Sequence, residues 1–221
     1  MKNKTPIRFY NTGNEFFSIL RQRVDKYFKE NKLSQHANAS MVIKTIILLA
    51  AYLVPFAVFI IVQPVLWLSL ILWAIMGFAL AGIGMSVMHD ANHGSYSTNK
   101  NVNAFLGHTL NLLGGSVFNC KLQHNVLHHT YTNIVHMDED IADKLVMRFS
   151  PHTNVKWYHK FQWVYSFLFY GVLTIYWVVL KDLTQFIRYT KNGVNPNTKQ
   201  QNRIIFAKMT MQKIIYFLYM F

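Results

Sequence analysis

Polar and apolar positions divide the chain into one long uncharged run, two shorter apolar runs and three basic stretches between and around them. Residues 45–88 contain 44 consecutive positions without Asp, Glu, Lys or Arg. At 1.5 Å per residue these make about 66 Å of helix, or two crossings of a ~30 Å hydrocarbon core. Gln63-Pro64 breaks the run, which predicts a transmembrane hairpin of helices 45–62 and 65–87, with Pro55 a point at which the first can kink. A soluble hairpin of this length would keep a charged face, and there is none. A second run, residues 161–180, is also long enough to cross. The third, the eight residues after Lys213, gives about 12 Å of helix and is too short. A helix ending there in lipid would leave carbonyls without partners, so a truncation within a further span is expected.

Composition agrees with lipid as the solvent. The 221 residues are 52% hydrophobic and 14% charged, against about a quarter charged in soluble domains. The single cysteine, Cys120, excludes a disulfide scaffold and suits a reducing compartment. A net charge of +13 suggests nucleic acid on a soluble protein, but here the charge is spread along the flanks of the apolar runs. Residues 1–44 carry nine Lys and Arg, residues 89–160 six and residues 181–213 seven, whereas the Gln63 turn carries none. The positive-inside rule then places the N-terminus and all three basic regions in the cytoplasm, with no nucleic-acid partner.

That assignment bears on residues 161–180, which lie between Lys160 and Lys181. A single crossing would put a basic loop outside, so an interfacial or partly buried helix is expected. Trp163, Tyr165, Tyr170, Tyr176 and Trp177 supply aromatic residues for the headgroup zone. The first span reads as an uncleaved anchor behind a basic arm, residues 1–44, in which residues 15–29 form a surface helix. Residues 45–221 make the remaining domain. The fold class is an all-α integral membrane protein in which cytoplasmic and interfacial helices accompany the hairpin.

The chemistry lies in the histidines. His89 and His93, in His89-Asp-Ala-Asn-His93, follow the second span directly, and His124, His128 and His129 form His124-Asn-Val-Leu-His128-His129. On a helix i and i+4 share a face, so each pair presents two imidazoles to one metal, and His129, turned about 100° from His128, suits a second metal or another vertex. Imidazole-rich sites take zinc, iron, copper or nickel, and five ligands exceed what one zinc needs, which favours two metals. His36, His108, His136, His152 and His159 have no such partner and read as surface or hydrogen-bonding residues. Cys120, one turn before His124, reads as a buried thiol. Asp90, and the acidic group Asp138, Glu139, Asp140 and Asp143, are candidates to accept hydrogen bonds from metal-bound imidazoles. For the acidic group a solvated turn is the preferred reading, with the hydrogen-bonding role as the alternative.

The two boxes resemble those of the membrane-bound fatty acid desaturases. His89-Asp-Ala-Asn-His93 is similar to that family's HDxxH-type first box and His124-Asn-Val-Leu-His128-His129 to its second. Gly94-Ser-Tyr-Ser97, Thr130-Tyr-Thr-Asn133 and Met137-Asp-Glu-Asp-Ile141 look like the bacterial branch akin to linoleoyl-CoA and front-end acyl desaturases. The resemblance implies a di-iron enzyme of lipid metabolism in a bacterial inner membrane. It would use O2 and two electrons to introduce a cis double bond into an acyl-CoA or acyl-lipid chain. His89, His93, His124, His128 and His129 would hold the two Fe; Asp90, Asp138 and Asp140 would orient them.

Two departures accompany it. The family's third box, QxxHH or HxxHH, has no counterpart, because no histidine follows His159. The resemblance therefore implies an N-terminal portion, completed by a missing C-terminal polypeptide. There is also no His-Pro-Gly-Gly heme motif, so no heme is expected and electrons would come from an external ferredoxin or cytochrome b-type donor. The alternatives are a catalytically inactive membrane fragment and a related di-iron hydroxylase.

Overall fold

The computed structural model describes residues 14–135, 137–142 and 146–220; His136 and Asp143 lie outside them. The described residues are helical with no β-strand. α1 (Asn14–Glu30) is the expected surface helix, with Phe16, Phe17, Leu20, Val24 and Tyr27 all exposed.

The hairpin is formed by α2 (Ala39–Val62) and α3 (Leu66–Asn92). α2 starts six residues before the uncharged run because Asn38 caps it, its side chain accepting the Met41 N–H at 2.9 Å. It stops where Gln63 turns left-handed (φ 48°) ahead of Pro64, as the sequence break predicts. α3 passes through a π-helical stretch, Ile83–Val87, and runs on to Asn92. Helix therefore continues past the apolar run and carries the first histidine box. The helices approach closely at Gly82, where a Cβ would lie 2.6 Å from Leu48 Cδ2. Tyr52, Met76, Ala79, Ile83 and Val87 fill the seam. Ile46, Val54, Ile61, Trp67, Leu70 and Phe78 point outward and are exposed, the pattern of helices whose outer solvent is lipid.

After α3 come α4 (Lys100–Gly107), the single turn α5 (Thr109–Leu112) and α6 (residues 117–131), whose middle, Lys121–His128, is π-helical. α4 and α5 close the core below the first box with Leu106 and Leu110. α7 (Trp157–Lys191) is one continuous helix of 35 residues, longer than the 20-residue apolar run that announces it. Its last ten residues add an amphipathic end, Asp182–Lys191, that buries Asp182, Gln185, Phe186 and Tyr189. α2, α3 and α7 are each long and apolar enough to cross a membrane, which makes this an all-α membrane protein.

α8 (Lys199–Met220) contains the final apolar run. Rather than standing alone, the run packs on the hairpin and on α5. Tyr219 stacks edge-on against Phe56 with ring centroids 5.7 Å apart, and its hydroxyl donates to Leu112 O at 2.6 Å. Nearly two turns earlier Lys213 is buried and pairs with Asp182 at 2.8 Å, while its ammonium also donates to the carbonyls of Gly114 and Val178. This node joins α6, α7 and α8, since Asn119 Nδ2 donates to Asp182 O at 2.7 Å.

Candidate metal centre

All five predicted histidines meet at one place. The end of α3 presents His89 and His93, and α6 presents His124, His128 and His129. Asn125 Nδ2 donates to Asn92 O at 3.1 Å and draws α6 onto the end of α3. Ring centroids lie 4.6 Å apart for His89 and His93, 5.1 Å for His93 and His124, and 4.8 Å for His124 and His129.

The boxes do not act as separate pairs. His89, His93 and His124 bring their ligand atoms within 4.8 Å of one another, and so do His124, His128 and Asp140. His124 therefore belongs to both groups. The helical pairing i to i+4 holds for His124 and His128, but on a π-helix, where the rings stack at 5.3 Å with only 12° between planes. His129 is in neither group; its ring packs against those of His93, His124 and His128.

Carboxylates hold the far side of the rings. Asp90 Oδ1 lies 3.0 Å from His89 Nδ1, and with Nδ1 donating there, Nε2 keeps its lone pair. That Nε2 faces His124 Nε2 at 3.1 Å, two basic nitrogens converging on a space that suits a cation. On the other side His128 Nδ1 lies 3.1 Å from Asp138 and from Asp140. The solvated turn expected for the acidic group is corrected at Asp138, which is 1% exposed. The chain wraps it: Asn133, at a left-handed φ of 63°, and Asp140 both donate their backbone N–H groups to its oxygens at 2.9 Å.

Electrostatics favour the neutral form of two of the rings. Burial lowers the pKa of His93 and of His124, and the neighbouring imidazoles lower both further. Neutral rings offer lone pairs, which is the form a metal takes. For Asp138 burial opposes ionisation, but the hydrogen bonds from Asn133, Asp140 and His128 outweigh it and hold the carboxyl below its usual range. A donor set rich in neutral imidazole, backed by carboxylates, fits iron or zinc.

A cavity of about 210 Å³ opens beside the histidines, lined by the apolar Met88, Leu110, Cys120 and Trp177, by His89 and His124, and by polar residues that include Gln123, Lys181, Asp182 and Gln185. Cys120 is half-buried and outside both ligand groups, as expected of a packing thiol, and burial pushes its pKa up. His36, His108 and His159 make the hydrogen bonds expected of them, with Ser95 O, Ala104 O and the Lys156 N–H.

Other residues of the site had no local signal. Gln123 Nε2 donates to Asp140 at 2.8 Å and its Oε1 accepts from Gln185 Nε2 at 2.7 Å; Gln185 also reaches Glu139 at 3.2 Å, which Arg188 pairs at 2.8 Å. This relay ties α7 to the second box across some 60 residues of sequence. Only the amphipathic end of α7, where Gln185 is buried, hints at it.

Comparison with known proteins places the chain in a family. The sequence profile described as fatty acid desaturase matches residues 65–221. Over 99% of its length the chain is 31% identical to the acyl-lipid (8-3)-desaturase of Physcomitrium patens. Over 74% it is 37% identical to the sn-1 linoleoyl-lipid 6-desaturase of Arthrospira platensis, and over 73% it is 38% identical to that of Synechocystis sp.. The matches cover 46%, 45% and 45% of these relatives, so the chain spans less than half their length. No solved structure matches. With the profile covering most of the chain and both histidine boxes, the protein belongs to the fatty acid desaturase family.

Proposed function

We propose that the chain supplies five histidine ligands and part of the acyl site of a di-iron, O2-dependent desaturase acting on fatty acyl chains of membrane lipids. The observation that carries this reading is the convergence of both boxes on two ligand groups that share His124, beside a cavity lined in part by Met88, Leu110 and Trp177. When bound, iron supplies the O2-dependent oxidation that removing hydrogen from an unactivated carbon requires. In the overall balance the acyl chain loses two hydrogens, and O2, with two electrons and two protons from a donor, leaves as two waters.

The chain's own residues would bind and orient. His89, His93, His124, His128 and His129 hold the metals; Asp90, Asp138 and Asp140 fix the rings they touch. Leu110, Met88 and Trp177 exclude water and pack an acyl segment against the histidine side of the cavity. The relatives' names specify acyl-lipid substrates, which favours lipid-bound chains over acyl-CoA. Among the described residues, two groups of three atoms with a shared member are too few for two metals, and we assign the further ligands to a polypeptide segment that completes the site. Electrons arrive from a separate ferredoxin or cytochrome b-type carrier, and residues 45–221 form the catalytic unit behind a basic arm on the cytoplasmic face of the membrane.

Lipid analysis of cells producing the chain together with a segment covering the rest of its relatives' length tests the proposal. A new alkene in the acyl chains, abolished by the double change His128→Ala and His129→Ala with membrane insertion intact, is expected. Hydroxylated chains instead would favour hydroxylase chemistry, and alkene retained in the double variant would contradict the ligand assignment.

A further inference from the structure

α7 is tied at both ends to one short, charged segment. Near its start, Gln162 exchanges two hydrogen bonds with the backbone of Arg148, at 2.9 and 3.0 Å, and Tyr165 donates its hydroxyl to Val146 O at 3.1 Å. Near its end, Gln185 and Arg188 hold the Glu139 carboxylate at 3.2 and 2.8 Å. The helix between Gln162 and Gln185 measures about 34 Å. The chain from residue 139 to residue 148 reaches about 31 Å when fully extended.

A crossing α7 would put these two attachment points on opposite faces of a ~30 Å hydrocarbon core. The connecting segment would then lie stretched across lipid. It contains Asp140, Asp143 and Lys144, and those charges are not accommodated there. Its beginning is also fixed, because Asp138 and Asp140 are held at His128 beside the end of α3. Both ends of α7 therefore lie on the side of the metal centre.

We propose that α7 does not cross the bilayer but lies along the face that bears the metal centre, with its apolar surface sunk into the headgroup and acyl boundary of that leaflet. None of its apolar window is buried within the protein, and Trp163, Phe167, Leu168, Val172 and Ile175 are exposed. Lys160 and Lys181 bracket this surface, each over an aromatic ring, Phe161 at 4.9 Å and Trp177 at 5.6 Å. Long basic side chains so placed carry their charge to the headgroups while their stems stay in apolar surroundings. The leaflet is the partner this surface fits. The arrangement sets Trp177, a wall of the cavity, at the depth where lipid acyl chains begin.

The proposal requires only that the α2–α3 hairpin crosses, and it stands apart from the chemistry proposed for the histidines. Single cysteines test it in the 221-residue chain carrying Cys120→Ser: Gln63→Cys in the hairpin turn, Asn154→Cys before α7 and Asn192→Cys after it. A membrane-impermeant maleimide is applied to right-side-out and to inverted vesicles. Labelling of the Asn154 and Asn192 variants only in inverted vesicles, and of the Gln63 variant only in right-side-out ones, is expected. Labelling of the Asn154 and Asn192 variants from opposite faces, or of all three from one face, would overturn it. Spin labels at Phe167 and Ile175 give the depth: both should sit roughly 5–10 Å into the leaflet, and a mid-bilayer depth for either contradicts an in-plane helix.

Discussion

The carboxylate of Asp138 faces His128 Nδ1 at 3.1 Å while closed off from solvent. Its remaining acceptor capacity is taken by the N–H groups of Asn133 and Asp140, so it cannot rotate away from the ring. The ring is thereby fixed with Nε2 toward the cluster. Asp138→Ala should lower metal affinity about 10- to 100-fold, the usual effect of removing a carboxylate behind a ligating imidazole. Competition with a graded series of chelators reads this directly; unchanged affinity would show that His128 needs no such partner.

Lys213 and Asp182 form a buried ion pair, with side chains 10% and 6% exposed. Lys213→Met leaves the carboxylate buried and unpaired, which should cost about 3–5 kcal/mol. Adding Asp182→Asn should recover most of that loss, because the uncompensated charge is then gone. Denaturation of the purified chain in detergent measures both. Equal destabilisation of the single and double variants would mean that α8 is held by its apolar contacts instead.

Gly115 lies where a Cβ would meet Trp177 Cη2 at 2.6 Å and Leu110 Cδ1 at 2.8 Å. The indole is stiff, so Gly115→Ala should overpack this seam and destabilise by about 1–3 kcal/mol. Trp177→Leu in the same chain should relieve part of the strain. Thermal unfolding of the three variants gives the coupling, and additive effects would show that the two positions do not touch.

How much of this was legible in sequence varies with the range of the interaction. Spans were readable because an uncharged run broken at Gln63-Pro64 is a local pattern, and the histidine boxes were readable because their spacing is local too. The π-helical turns at 83–87 and 121–128 left no composition signal, and the second alters how His124 and His128 face each other. The sharing of His124 between groups follows from α6 packing on α3, which no spacing within either box encodes. The 35-residue length of α7 was hidden because its amphipathic end lacks the apolar run's hydropathy. Asp182, Gln185 and Lys213 read as ordinary polar residues, since their partners lie in other helices.

Iron content of the purified chain tests the central claim most directly. The chain, co-produced with the segment that supplies the remaining ligands and prepared from iron-supplemented cells in mild detergent, is compared with the same preparation carrying His124→Ala or His108→Ala. His124 serves both ligand groups, whereas the His108 ring bonds to Ala104 O and lies in neither group. The account predicts iron bound to the unmodified chain and to the His108 variant, with most of it lost from the His124 variant. Iron retained equally by all three, or bound by none, would contradict a metal centre built on the two histidine boxes.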